Sequence, residues 1–503
     1  MNSLTRATPL PGRVRLLARS EAYGLWVAGA FLLVTLSTGS RQNVTLTEIA
    51  YAGVLLAISI QAYLSWHRGN NISIPVWALV CAAHFVFYGL SIFGSLRTSP
   101  SVFDHGSDVP DSAIATAMLV GIAGLSSIGI GRIAATHFAK RRTFALSFLE
   151  MRTHTPVRIH ALLALGTAAN LFGVPSYGIA VWNISVITFF VLPLVAFLWL
   201  ILGRGIRKLS GLDFWLAIVF LGTRLISGAA FNASLGTIVV PLYLMGFAAL
   251  ATKRQFPWRM IGVVTCVVIF LQPAKSTIRE EIYRGNLRGG VTDAMVRWVE
   301  VAASGWNDVL AGRKTLDEQL SPTASRSSLL TMTGVILDKT PETVPFQFGA
   351  YYPLLFKNLI PRVFWPEKPS VNVANQFFQV KYGLTDTQHL SSVSIACGFE
   401  AEGYMNFGWY GVLAVGLLVG FVLGRYEIAF FAVGSGRTAI AIGLALLPGF
   451  LTIESQLVQY LGGILQFALA AGIVFHQANG KRLSYGGPSA ARMNSIPGAF
   501  APQ

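Results

Sequence analysis

Charge is scarce in this chain. Asp, Glu, Lys and Arg together make up 12% of its 503 residues, about half the fraction of an ordinary domain, while 53% are apolar and the mean hydropathy is +0.57. That balance excludes a soluble globule. Cysteine is rarer still: Cys81, Cys266 and Cys397 are the only ones, and the first two sit inside apolar blocks, so no disulfide framework is expected. There is no lysine-ended phosphate loop, no Rossmann glycine pattern, no zinc spacing and no HExxH. The sequence therefore offers no ATP or metal site and calls for no cofactor. Any reaction must draw on an activated substrate or an ion gradient. Internal and inverted repeats of the transporter kind are also missing.

What is present is basic and apolar. The net charge is +16, from 38 Lys and Arg against 22 Asp and Glu. Most of the excess lies in short clusters between apolar blocks, the pattern of cytoplasmic loops rather than of a nucleic-acid surface. The blocks themselves are long enough to cross about 30 Å of hydrocarbon. They run near 22–38, 46–66, 74–95, 112–133, 160–178, 180–203, 212–230, 234–252, 258–273, 409–424, 438–453 and 456–476.

This predicts an all-α polytopic membrane protein of about 12 transmembrane helices. Counting Lys and Arg in the short connections orients it. With the N-terminus inside, the inner turns hold His67-Arg68, Lys140-Arg141-Arg142, Arg204 with Arg207-Lys208, Lys253-Arg254, Arg425 with Arg437, and Lys481-Arg482. The short outer turns hold only Arg41 and Arg97. The expected order is a cytoplasmic basic tail (1–21), nine spans (22–273), a large extracytoplasmic loop of short helices (274–408), three spans (409–477) and a disordered cytoplasmic tail (478–503).

The loop carries the chemistry. It opens on Lys275-Ser-Thr-Ile-Arg279-Glu-Glu, where Thr277 and Glu280 have capping-box spacing. Lys275 and Arg279, four apart, share one helical face; they either flank a phosphate or snorkel beside Glu280 and Glu281. A second helix over 292–310 shows a one-sided apolar stripe through Met295, Trp298, Val299, Ala302 and Trp306, suited to packing on the membrane or the bundle. Arg326 sits in a short basic element before an apolar run.

Arg362 lies in Ile360-Pro-Arg-Val-Phe-Trp-Pro-Glu-Lys368-Pro, a proline-fixed interfacial stretch. Its planar fork either grips a pyrophosphate or stacks on Trp365. His389, Glu400 and Glu402 follow. The two carboxylates, flanked by Phe399, Tyr404 and glycines, are candidates for the base that deprotonates a sugar hydroxyl. If helical, Glu400 and Glu402 point to different sides. Within the spans Arg224 stands out: an intramembrane cation facing a polar cavity, or an interfacial one.

The stretch 350–424 resembles the bacterial oligosaccharide repeat-unit polymerases, the Wzy-type O-antigen and capsule polymerases. The matching elements are Leu359-Ile-Pro-Arg-Val-Phe-Trp-Pro-Glu-Lys-Pro369, the Ser391-Ser392 pair, and Glu400-Ala-Glu-Gly-Tyr-Met-Asn-Phe-Gly408 with Trp409-Tyr-Gly411 running into an apolar helix. Lys275 to Arg279, just outside a span, is also similar to that pattern. The resemblance implies a GT-C-like membrane glycosyltransferase of the bacterial inner membrane, both termini cytoplasmic. It would move a glycan from one undecaprenyl pyrophosphate onto a repeat unit held on another. Arg224, Lys275, Arg279, Arg326, Arg362 and Lys368 would then hold pyrophosphate, and Glu400, Glu402 or His389 would act as base, with no metal. Lipid-linked oligosaccharides would be its partners, alongside a chain-length regulator and a flippase.

Three rivals remain. An O-antigen ligase would use the same donor and lean on a histidine, which keeps His389 in view. Against a transporter or flippase stand the absent repeats, the few charges within spans and a large outer loop that transport does not require. A signalling sensor would want a cytoplasmic effector domain that no inner segment is long enough to supply.

Overall fold

The computed structural model describes residues 44–69, 72–92, 109–141, 156–172, 186–204, 209, 211–230, 235–253, 258–283, 291–315, 329–358, 360, 365, 367–369, 372–387, 390, 395–433 and 435–475. The apolar block at 22–38, both tails, Arg326, Arg362 and His389 lie outside these residues. Within them the protein is helical; no strand occurs, and one isolated bridge joins Ile72 to Ala432.

Every expected apolar block from 46–66 onward coincides with a helix. In chain order these are α1 (Leu46–Arg68), α2 (Val76–His84), α3 (Asp111–Arg141), α4 (Pro156–Phe172), α5 (Leu192–Arg204), α6 (Gly211–Ala230), α7 (Leu235–Lys253) and α8 (Trp258–Leu271). The middle region supplies α9 (Lys275–Tyr283), α10 (Val291–Leu310), α11 (Leu329–Lys339), α12 (Pro353–Asn358) and α13 (Val373–Lys381). The chain then closes with α14 (Phe399–Phe431), α15 (Arg437–Leu451) and α16 (Leu457–Phe475).

Among the described residues five helices are long and apolar enough to cross a membrane: Leu46–Arg68, Ser112–Phe138, Gly211–Gly228, Arg259–Ile282 and Phe399–Phe431. The other apolar helices, such as Val76–Ile92 and Arg437–Leu451, are shorter. The outward faces of the long helices are apolar too, as at Ile130, Ile133, Trp215, Val263 and Val267. A helix hydrophobic all round matches a lipid solvent rather than water.

Local chemistry explains several boundaries. Thr45 caps α1 reciprocally with Glu48: the Glu48 amide donates to Thr45 Oγ1 at 3.2 Å and the Thr45 amide to Glu48 Oε2 at 2.8 Å. The loop begins differently from the Thr277–Glu280 expectation. A 3-10 turn at Gln272–Ala274 joins α8 to α9, so the helix continues through Lys275 rather than starting at Thr277. The long run Arg259–Ile282 therefore raises Lys275 and Arg279 on the end of a membrane helix. α10 folds back beside it. Glu281 meets Arg297 at 2.8 Å, Trp298 and Ala302 cluster with Ala274 and Ile278, and the Trp306 indole donates to the Phe270 carbonyl at 2.9 Å.

The centre of the bundle is the pair α3 and α14, which pack along their length. Gly416, Gly420 and Gly424, at four-residue spacing, let the backbones meet. A Cβ on Gly416 would lie 2.9 Å from the Gly124 carbonyl, and one on Gly424 would lie 2.8 Å from that of Arg132. Such small-residue seams bring membrane helices together where no hydrophobic force does. Near one end of this seam Arg132 binds Glu427 at 2.5 Å, and the Trp77 amide donates to the same carboxylate at 3.0 Å.

Candidate functional site

α14 is two helices. Phe407 (φ −143°, ψ 20°) and Gly408 (φ 61°, ψ −144°) leave the helical region and divide a short helix, 399–406, from a long one, 409–431. The long part alone spans about 34 Å at about 1.5 Å per residue, enough to cross the hydrocarbon. The short part doubles back along it. A Cβ on Gly403 would come within 2.8 Å of the Gly411 carbonyl, eight positions on, which a straight helix forbids. The 399–406 segment thus re-enters the bundle and carries Glu400 and Glu402 inward, both fully buried.

The two carboxylates meet different elements. Glu400 Oε1 lies 2.6 Å from His84 Nε2, and both side chains are 0% exposed. His84 is the last residue of α2, where the helix widens into a π turn (Phe85–Gly89); such turns recur at functional sites. The Tyr88 ring stacks on the imidazole at 6.4 Å, Phe399 meets its edge at 6.4 Å, and Gly124 of α3 lies flat against the Glu400 side chain. Glu402 Oε2 instead accepts the amide of Leu457, the first residue of α16, at 2.6 Å. The positive end of α16 therefore faces this carboxylate. Glu400 Oε2 and Glu402 Oε1 are both buried without a hydrogen-bond partner among the described residues.

The segment before α12 covers the outer end of the re-entrant helix. The Gly349 amide donates to Asn406 Oδ1 at 2.8 Å, the Gln347 amide to the Met405 carbonyl at 3.2 Å, and the Asn406 amide group to the Glu402 carbonyl at 2.8 Å. Burial, aided by the nearby Glu402 carboxylate, pushes the Tyr352 phenol above its ordinary range.

The loop cations join this site through one turn. The Gly398 amide, at the start of the re-entrant helix, donates to the Glu454 carbonyl at 2.8 Å. Burial raises the Glu454 carboxyl while the charge of Lys275 lowers it. The turn 452–456 thus stands between the start of α9 and the start of α14. Arg279 Nε is buried without a hydrogen-bond partner among the described residues. Glu281 is engaged by Arg297.

Two other candidate cations have different partners. The Arg224 guanidinium lies 4.8 Å over the Phe190 ring and shares no ion pair with Glu400 or Glu402 among the described residues. Lys368 is buried and donates from Nζ to the Ile360 carbonyl at 2.8 Å. Among the described residues no group of three or more His, Cys, Asp and Glu side chains is set to hold a metal ion.

His84 is the residue sequence reasoning passed over. Its signal was there: a titratable side chain within the apolar block 74–95, the same rule that singled out Arg224.

The chain belongs to the family described as Domain of unknown function (DUF8712), whose model matches residues 113–429, more than half of its length. That match takes in α3, the loop helices and nearly all of α14, and leaves out His84. No curated protein and no solved structure matches it.

Proposed function

We propose that this protein is an integral-membrane glycosyltransferase of the repeat-unit polymerase kind, joining oligosaccharides carried on undecaprenyl pyrophosphate into a surface polysaccharide. The observation that carries the reading is the re-entrant helix 399–406. It holds two buried carboxylates inside an apolar bundle, and one turn separates it from the cation-bearing end of a membrane helix. Glycosyl transfer from a lipid pyrophosphate asks for those two elements together. A carboxylate takes the proton of the acceptor hydroxyl. Cations at membrane depth, here Lys275 and Arg279, neutralise the leaving pyrophosphate as charge develops on it.

In this reading the chain has about 12 spans in a GT-C-like arrangement, lies in the bacterial inner membrane with both termini cytoplasmic, and meets its substrates in the outer leaflet. Arg326 and Arg362 add to the pyrophosphate grip. A second reading comes from the His84–Glu400 pair. A buried imidazole–carboxylate contact within membrane helices also suits a proton-coupled carrier of lipid-linked sugars.

Deleting the gene and sizing the surface polysaccharide separates the readings. Single repeats on the cell surface mean a polymerase. Lipid-linked polymer that is never passed on means a ligase, and precursor left on the cytoplasmic leaflet means a flippase.

A further inference from the structure

The contact between His84 and Glu400 restricts where protons sit. His84 Nδ1 lies 2.8 Å from the Val80 carbonyl oxygen, which only accepts, so Nδ1 carries a hydrogen. Nε2 faces Glu400 Oε1 at 2.6 Å, and a hydrogen bond across that gap holds one proton, as O–H···N or as N–H···O. Either way the pair is neutral overall. The remaining oxygen, Glu400 Oε2, is buried and unpartnered among the described residues.

The neighbours do not fill that position. Tyr88 from the π turn after α2, Cys397 and Glu402 from the segment around Glu400, and Tyr460 from α16 are the titratable groups nearby among the described residues. Tyr88 Oη contacts Thr333 Oγ1 at 3.4 Å, Tyr460 donates to the Phe450 carbonyl, and Glu402 is held by the Leu457 amide. Gly124 of α3 lies against this side chain, and a Cβ there would lie 2.5 Å from Glu400 Cγ.

We infer that His84 and Glu400 work as one proton-exchanging unit, with Glu400 Oε2 receiving the proton of the acceptor hydroxyl and His84 acting as the positioning residue that holds the shared proton. This rests on the glycan-transfer reading above, and it selects Glu400 over Glu402 as the base. Access to the buried Oε2 would require the short helix to tilt about Phe407 and Gly408, the two residues that leave helical geometry. In the step, the acceptor oxygen bonds to the donor's anomeric carbon. The bond from that carbon to pyrophosphate breaks, and its electron pair leaves with the pyrophosphate. The hydroxyl proton passes to Oε2 while the shared proton rests on Nε2. The pair becomes singly positive, then returns one proton to water as product departs.

The test uses the full-length protein in lipid nanodiscs with an undecaprenyl-pyrophosphate-linked repeat unit. His84→Gln keeps a neutral hydrogen bond to the carboxyl but holds no second proton. The expected result is normal thermal unfolding, an unchanged KM, a kcat lower by about 100-fold, and loss of one limb of the kcat–pH profile. A wild-type rate in H84Q overturns the inference, because a merely structural histidine is replaced well by glutamine. Should H84Q fail to fold, Glu400→Gln decides: folded and inactive supports the inference, and active overturns it. Infrared difference spectra without substrate separate this inference from the glycan-transfer reading. A carboxyl band that E400Q removes and H84Q shifts, in a protein that makes no polymer, sinks glycan transfer and leaves the proton unit. Polymer made without any such band sinks the proton unit alone.

Discussion

Gly403 and Gly411 lie back to back: a Cβ on the first would come within 2.8 Å of the carbonyl of the second, and one on the second would overlap the first. Two glycines eight apart in one sequence meet this way only because the helix between them is broken. The break turns what reads as a loop end into a re-entrant arm. It moves Glu400 from the membrane surface to the seam between α3 and α14.

The arm depends on Gly408, whose backbone (φ 61°, ψ −144°) is open to glycine almost alone. We expect Gly408→Ala to cost about 1–3 kcal/mol and to lower activity beyond that loss by displacing Glu400. Thermal unfolding in detergent and a polymerisation assay, run in parallel, check this; a variant as stable and active as wild type contradicts it.

Glu402 should behave as a structural partner. Glu402→Gln keeps an oxygen acceptor for the Leu457 amide and is expected to cost only about 1 kcal/mol, while the folded fraction keeps its turnover. Comparing rates per folded molecule with those of Glu400→Gln is the check.

The Arg132–Glu427 pair anchors the far part of the α3–α14 seam. Glu427→Ala leaves a half-buried guanidinium without its carboxylate and should cost about 3–5 kcal/mol, as breaking such pairs does. The loss should show as destabilisation with no change in KM for the lipid-linked substrate.

Glu454 gives a pH signature. Burial holds its folded carboxyl above the usual value, so the folded state loses stability as pH rises through the ordinary carboxylate range. Lys275 opposes that shift, and Lys275→Gln removes the opposition. The variant's stability deficit should therefore be small at acid pH and grow toward neutrality, as measured by unfolding temperature across pH. A deficit independent of pH would remove Lys275 from this electrostatic role.

Arg279 presents a buried Nε with no protein acceptor among the described residues. Arg279→Ala is expected to abolish polymerisation while the protein still inserts in the membrane. Immunoblotting of membranes together with glycan sizing reads both, and full-length glycan from the variant contradicts the assignment.

The helices were legible because their signal is local. Blocks at 46–66, 212–230, 234–252 and 258–273 became α1, α6, α7 and α8 with boundaries displaced by few residues. The re-entrant arm was not, because its evidence is remote. Glu400, Glu402 and Asn406 make 399–408 read as a polar loop end, and the partners that allow their burial lie far along the chain. His84 is 316 positions from Glu400, and Leu457 is 55 from Glu402. Gly408 alone does not announce that a helix reverses. The separation of the two carboxylates onto different neighbours did follow from helical spacing. The partner of Glu281 did not, since Arg297 reaches it only after α10 folds back onto α9.

If the arm inside the bundle performs glycan transfer between lipid pyrophosphates, the protein alone should extend a lipid-linked repeat unit. The most direct measurement sizes the products of purified protein in liposomes supplied only with undecaprenyl-pyrophosphate-linked repeat units. Wild type should yield a ladder of lipid-linked polymers, and Glu400→Gln single repeats alone. Single repeats from both, or identical ladders from both, would contradict glycan transfer by the arm.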